Sequence, residues 1–91
     1  MYILTRYDAR VTRREDQSRY AVLFGAALRR AREAKAMSQE RLASAADLSQ
    51  PYLSLVERGE NSPTIDVVFR LCEALSVSPA ELLDEVWRDR S

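Results

Sequence analysis

The stretch from Ser38 to Gly59, SQERLASAADLSQPYLSLVERG, constrains the fold more than any other part of the chain. Ser38 is a good N-cap, with Gln39 and Glu40 in the turn behind it and Glu40 well placed for the helix dipole. Leu42, Ala43 and Ala46 then make one apolar face of a helix over about residues 39–46, which must stop near Asp47. A second cap, Ser49, follows almost at once, and a further short helix is expected over about residues 50–58. Gly59 can take the left-handed conformation and end it.

The flanks of this stretch are also helical. Phe24, Leu28 and Ala31 recur at i, i+4 and i+7 within a helix expected from about Arg19 to Ala36. Arg32 stands on the same stripe, and a charge there asks for a partner. Thr64 caps a fourth helix, about 65–75, whose stripe is read as Ile65, Val68, Leu71, Cys72 and Leu75. Ser78, Pro79 and Glu81 form a capping box with proline at the first helical position. The fifth helix, about 79–88, carries Leu82, Leu83, Val86 and Trp87. No convincing strand appears. The spacing therefore predicts an all-α bundle of five helices over residues 19–91, whose second and third helices meet as a helix-turn-helix. Residues 1–18 are read as an N-terminal arm, since Tyr2, Ile3, Leu4, Tyr7 and Val11 fit no clean period.

A chain of 91 residues suffices for one small domain, and 46% hydrophobic with 31% charged residues is a globular composition. No apolar run is long enough to cross a bilayer and no secretory signal is evident, so the expected location is the cytoplasm. One cysteine and no histidine exclude an internal disulfide, a zinc set within one chain and an imidazole base. Cys72 is read as a buried small hydrophobe. With no nucleophile–base pair, metal set or phosphate-binding glycine loop, the expectation is no enzyme, no cofactor and no metal. The formal net charge is zero, but it divides unevenly: residues 1–50 hold 10 basic and 6 acidic side chains, and residues 51–91 hold 4 and 8. A half at +4 joined to a half at −4 leaves room for an acidic partner such as DNA.

The segments LRRAREAKAMSQERLASAADLS, YLSLVERGENSPTIDVVFRLCEAL and VSPAELL resemble the lambda repressor/Cro-type helix-turn-helix family, also called the xenobiotic-response-element type. The resemblance spans residues 23–83 and keeps the order and spacing of five helices. It implies a bacterial or phage regulator of transcription that binds operator half-sites on double-stranded DNA as a homodimer. Asp47 departs from the family, which usually has glycine at this turn, and Cys72 stands where alanine is usual.

The expected recognition helix turns Leu53 and Val56 inward, with Leu48 in the turn. Helical spacing turns Gln50, Pro51, Ser54 and Leu55 outward, and these positions match the family's base-reading positions. A glutamine can pair with adenine N6 and N7. Pro51 leaves open whether Gln50 instead acts as the N-cap, and Leu55 could meet a thymine methyl or the fourth helix. Ser38, Gln39, Ser49, Tyr52, Arg58, Asn61 and Ser62 are candidates for the DNA backbone. Arg32 and Glu57 match positions that pair in the family, which implies a structural ion pair.

Phe69, Val86 and Trp87 are candidates for an exposed apolar dimer surface, with closure of the monomer core as the alternative for Trp87. The arm could bring Arg13 and Arg14 near DNA, serve the dimer, or bind another protein through residues 1–17. A second reading of the whole chain is an antitoxin or similar interaction module that binds DNA for autoregulation.

Overall fold

A computed structural model describes residues 18–91. Of the arm, residues 1–17, with Arg13, Arg14 and the protein-binding role read into them, lie outside the described residues. The others form five α-helices: α1 (Arg19–Ala34), α2 (Gln39–Ala45), α3 (Gln50–Glu57), α4 (Ile65–Leu75) and α5 (Pro79–Asp89). Every one starts behind a serine or threonine, namely Ser18, Ser38, Ser49, Thr64 and Ser78, whose side-chain oxygen accepts a first-turn amide. Each such cap contributes about 1 kcal/mol. Ser78 bonds the amide of Ala80 rather than that of Glu81, so the expected capping box is not made in its usual form.

Helix ends explain the main boundary difference. The first helix stops at Ala34, two residues before the expected end, because Ala36 swings to φ 56°. The amide of Met37 then returns to the Arg32 carbonyl and that of Ala36 to Glu33, the paired closure that satisfies the last carbonyls of a helix. Asp47 (φ 60°) and Gly59 (φ 75°) close α2 and α3 in the same way.

The core gathers one stripe from each helix. Leu28, Leu42, Leu53, Leu71 and Leu75 are fully buried, with Phe24, Val56, Val68, Cys72, Leu82 and Val86 around them. Helix α1 packs on α3 and α5, α2 packs on α3 and α4, and α4 meets α5. The third helix is thus held from behind by α1 and α2.

Two sequence assignments change, and one open alternative closes. Val86 belongs to the monomer core, 8% exposed, and so is removed from the candidate dimer surface; it follows Leu82 by one helical turn on the face that α5 turns inward. Ile65 is the first residue of α4 and stands 69% exposed, outside the core stripe. Trp87 is 57% exposed and does not close the core; the Arg90 guanidinium lies over its ring, 3.5 Å from the centroid.

Candidate nucleic-acid interface

The expected reading surface is built on the first turns of two helices. Ser49 is the N-cap of α3, and its Oγ accepts the Tyr52 amide at 3.2 Å. Gln50 is therefore the first helical residue and not the cap, and Pro51 follows it in the first turn, where its missing N–H costs nothing. Ser38 caps α2 in the same way, its Oγ accepting the Arg41 amide at 3.0 Å. The residue behind it, Gln39, accepts a hydrogen bond from Gln50 Nε2 at 2.7 Å through its own Oε1. That bond brings the N-terminal ends of α2 and α3 side by side, and the dipoles of both ends favour an anion there.

A buried ion pair stands behind the two glutamines. Arg32 Nε donates to Glu57 Oε2 at 2.6 Å and Nη2 to Oε1 at 3.0 Å, a two-pronged contact. Its Nη1 donates to the Met37 carbonyl at 2.8 Å. The side chains are 11% and 3% exposed. One guanidinium on α1 thus ties down the end of α3 and the entry to α2. Hydrogen bonding to Glu57 raises the pKa of Arg32 further above the ordinary arginine range. Gln39 Nε2 also donates to Glu57 Oε1, at 2.9 Å, so the ion pair and the two glutamines form one network.

The remaining outward residues of α3 differ in surroundings. Pro51 is exposed, while Ser54 and Leu55 are half-buried. Among the described residues, Leu55 does not pack against the buried core. Tyr52 does pack against the core, which sets its ring as a support for α3. Arg58 is exposed, donates to Ser54 Oγ and pairs with Glu60 at 3.1 Å. An exposed pair of this kind is worth about 0.2–1 kcal/mol, so a phosphate can displace Glu60. Asn61 and Ser62 lie in the loop after α3, Asn61 half-buried and Ser62 exposed.

Two features escaped the sequence reading. Arg41, in the first turn of α2, is exposed beside Ser38 and adds a positive charge to this edge. Arg70 reaches from α4 to the turn between α2 and α3, with Nε on the Ala46 carbonyl at 3.2 Å and Nη2 on that of Asp47 at 2.9 Å. Its third nitrogen pairs with Asp66 one turn earlier. Only that i, i+4 spacing of opposite charges was visible in sequence; the contact with Asp47 depends on the fold.

Residues 28–82 match the helix-turn-helix family model. The control protein C.BamHI of Bacillus amyloliquefaciens is 42% identical over 64 residues, which cover 69% of this chain and 79% of that protein. A crystal structure of the clp gene regulator ClgR from C. glutamicum superposes with a TM-score of 0.76 at 33% identity, over 79% of this chain and 94% of that one. The restriction-modification controller protein C.AhdI from Aeromonas hydrophila gives a TM-score of 0.67 at 40% identity, over 68% and 94% of the two chains.

Proposed function

We propose a mechanism from the premise that this chain belongs to the lambda repressor/Cro-type helix-turn-helix family and is a DNA-binding regulator of transcription. Helix α3 enters the major groove with Gln50, Pro51, Ser54 and Leu55 facing the bases. The observation that carries this reading is the bond between Gln50 and Gln39, which sets a base-reading amide beside two helix N-termini that attract phosphate. Ser38, Gln39, Ser49, Arg58, Asn61 and Ser62 hold the DNA backbone and fix the register. Arg32 and Glu57 hold the reading helix in place.

Two copies act together. A domain of this size buries about 600–1,000 Å² on DNA, and a two-fold dimer doubles that while reading half-sites about one helical turn apart. Ile65 with Phe69 on α4, and Leu83 with Trp87 on α5, are exposed apolar pairs one turn apart and supply the dimer surface. The similarity to C.BamHI and C.AhdI supports a controller-type regulator that works by occupying an operator.

The test is selection of bound sequences from random duplex DNA at physiological salt, followed by footprinting. A two-fold site is expected, with affinity that falls steeply as salt rises. Enrichment of no sequence over nonspecific binding contradicts the proposal. Sedimentation of the protein alone should show a dimer that Trp87→Glu weakens; an unchanged dimer would place the interface elsewhere.

A further inference from the structure

Two features of the turn between α2 and α3 disfavour it. Asp47 holds φ 60°, a left-handed conformation that costs a residue with a β-carbon. Helix α2 also has no basic residue in its last turn to meet the negative end of its dipole. Backbone bonds close the turn in part: the Leu48 amide donates to the Ala43 carbonyl at 2.8 Å and the Asp47 amide to that of Ser44 at 3.2 Å. Neither bond uses the carbonyls of Ala46 and Asp47. Arg70 on α4 binds both, with Nε donating to Ala46 O at 3.2 Å and Nη2 to Asp47 O at 2.9 Å. Asp66, one turn earlier on α4, accepts from Nη1 at 3.1 Å and holds the guanidinium in that orientation. A planar fork can span two adjacent carbonyls while bonded to a carboxylate, whereas an ammonium offers its donors from a single point. The positive charge missing from the end of α2 is thus supplied by another helix. This turn also fixes how α3 leaves α2. A relaxation of Asp47 toward the common right-handed range would open the Leu48–Ala43 bond and swing α3, with Gln50, Pro51, Ser54 and Leu55 on it.

We infer that Arg70 is a positioning residue for DNA reading: by bridging the Ala46 and Asp47 carbonyls it holds a strained turn closed, and so sets the angle at which α3 meets the bases. This rests on the reading of α3 as the helix that enters the major groove. Arg70 acts through the turn and makes no phosphate contact of its own. Its importance is tied to the β-carbon of Asp47, since glycine at that position would hold the same conformation without strain.

The experiment compares full-length wild type, Arg70→Lys, Asp47→Gly and the double variant for affinity to a selected duplex and to a scrambled one, across a range of salt. Arg70→Lys keeps the charge and loses the fork. It should weaken binding to the selected duplex about tenfold and leave the scrambled duplex and the salt slope unchanged. In the Asp47→Gly background the same exchange at position 70 should cost clearly less. Affinity is read on folded protein, so the freedom that glycine adds to the unfolded chain does not enter. The Leu48 amide reports the turn without DNA: it should exchange slowly in wild type, faster in Arg70→Lys, and more slowly again in the double variant. An equal loss on both duplexes with a shallower salt slope would make Arg70 a phosphate contact and overturn the inference. So would an Arg70→Lys protein with full preference, or a loss that Asp47→Gly does not reduce. A wild-type protein with no preference between the duplexes removes the reading of α3 instead, and the inference with it. One measurement needs no variant. In the unbound wild type, the Arg70 Nε proton should be resolved and slow to exchange by NMR; exchange typical of a solvated guanidinium would overturn the inference.

Discussion

Gly25 on α1 lies against the carbonyl groups of Val56 and Glu57, where α3 ends. A β-carbon in its place would stand 2.5 Å from the Glu57 oxygen and closer still to that of Val56. Two effects oppose each other at this position. Alanine is favoured over glycine inside a helix by about 1 kcal/mol. The obstruction is backbone, however, so it can be relieved only by moving α3, and overpacking of this kind costs about 1–3 kcal/mol. Gly25→Ala is expected to lower the urea midpoint and to weaken DNA binding through displacement of the reading helix. A raised midpoint would show that the helices do not meet this closely.

The Arg32–Glu57 pair makes a prediction about size and about pH. Arg32→Ala leaves a buried carboxylate without its partner and should cost about 3–5 kcal/mol in denaturant unfolding. Hydrogen bonding to Glu57 raises the folded-state pKa of Arg32. A raised pKa means that its contribution is fully present below the unfolded-state value and is lost only as pH rises past the folded one. Both lie far above neutrality. The difference between wild type and Arg32→Ala should therefore hold steady between about pH 6 and 9. A loss below about 1 kcal/mol would reduce the pair to an ordinary surface contact.

Ala36 closes α1 in a left-handed conformation, φ 56°, although it carries a β-carbon. That conformation costs a non-glycine residue about 1–2 kcal/mol. Ala36→Gly removes the strain but adds freedom to the unfolded chain, which offsets part of the gain. Ala36 is exposed, so no packing is lost. The net expectation is a gain of roughly 0.5–1 kcal/mol, read as a higher thermal midpoint. A lower midpoint would mean that α1 does not end in this way.

Cys72 is 1% exposed, and burial pushes its thiol pKa up, so little thiolate is present at neutral pH. Thiol reagents should label the native protein only as fast as it opens, and at once in denaturant. Rapid labelling of the native chain would contradict the packing of α4.

Much of this architecture was legible because it rests on local chemistry. Ser38, Ser49, Thr64 and Ser78 announce helix starts, and the stripes through Leu28, Leu53 and Leu71 announce the core. Ends were harder to read, since Ala36 carries no glycine signal and its left-handed turn is imposed by the closure to Arg32 and Glu33. Val86 and Ile65 were misplaced because spacing gives the face of a helix but not how far a neighbouring helix extends over it. At the site, Gln50 and Gln39 could be named separately from their places behind serine caps. Their contact, and the contact of Arg70 with Asp47, depend on the packing of separate helices and leave no local trace.

Amide shift mapping during titration with a selected duplex addresses the reading surface most directly. The expected perturbations centre on Ser38–Arg41 and on Ser49–Asn61, with the side-chain amides of Gln39 and Gln50 among the largest. The exposed faces of α4 and α5 should change little. Perturbations concentrated on α4 and α5, with α3 silent, would contradict DNA reading by this helix.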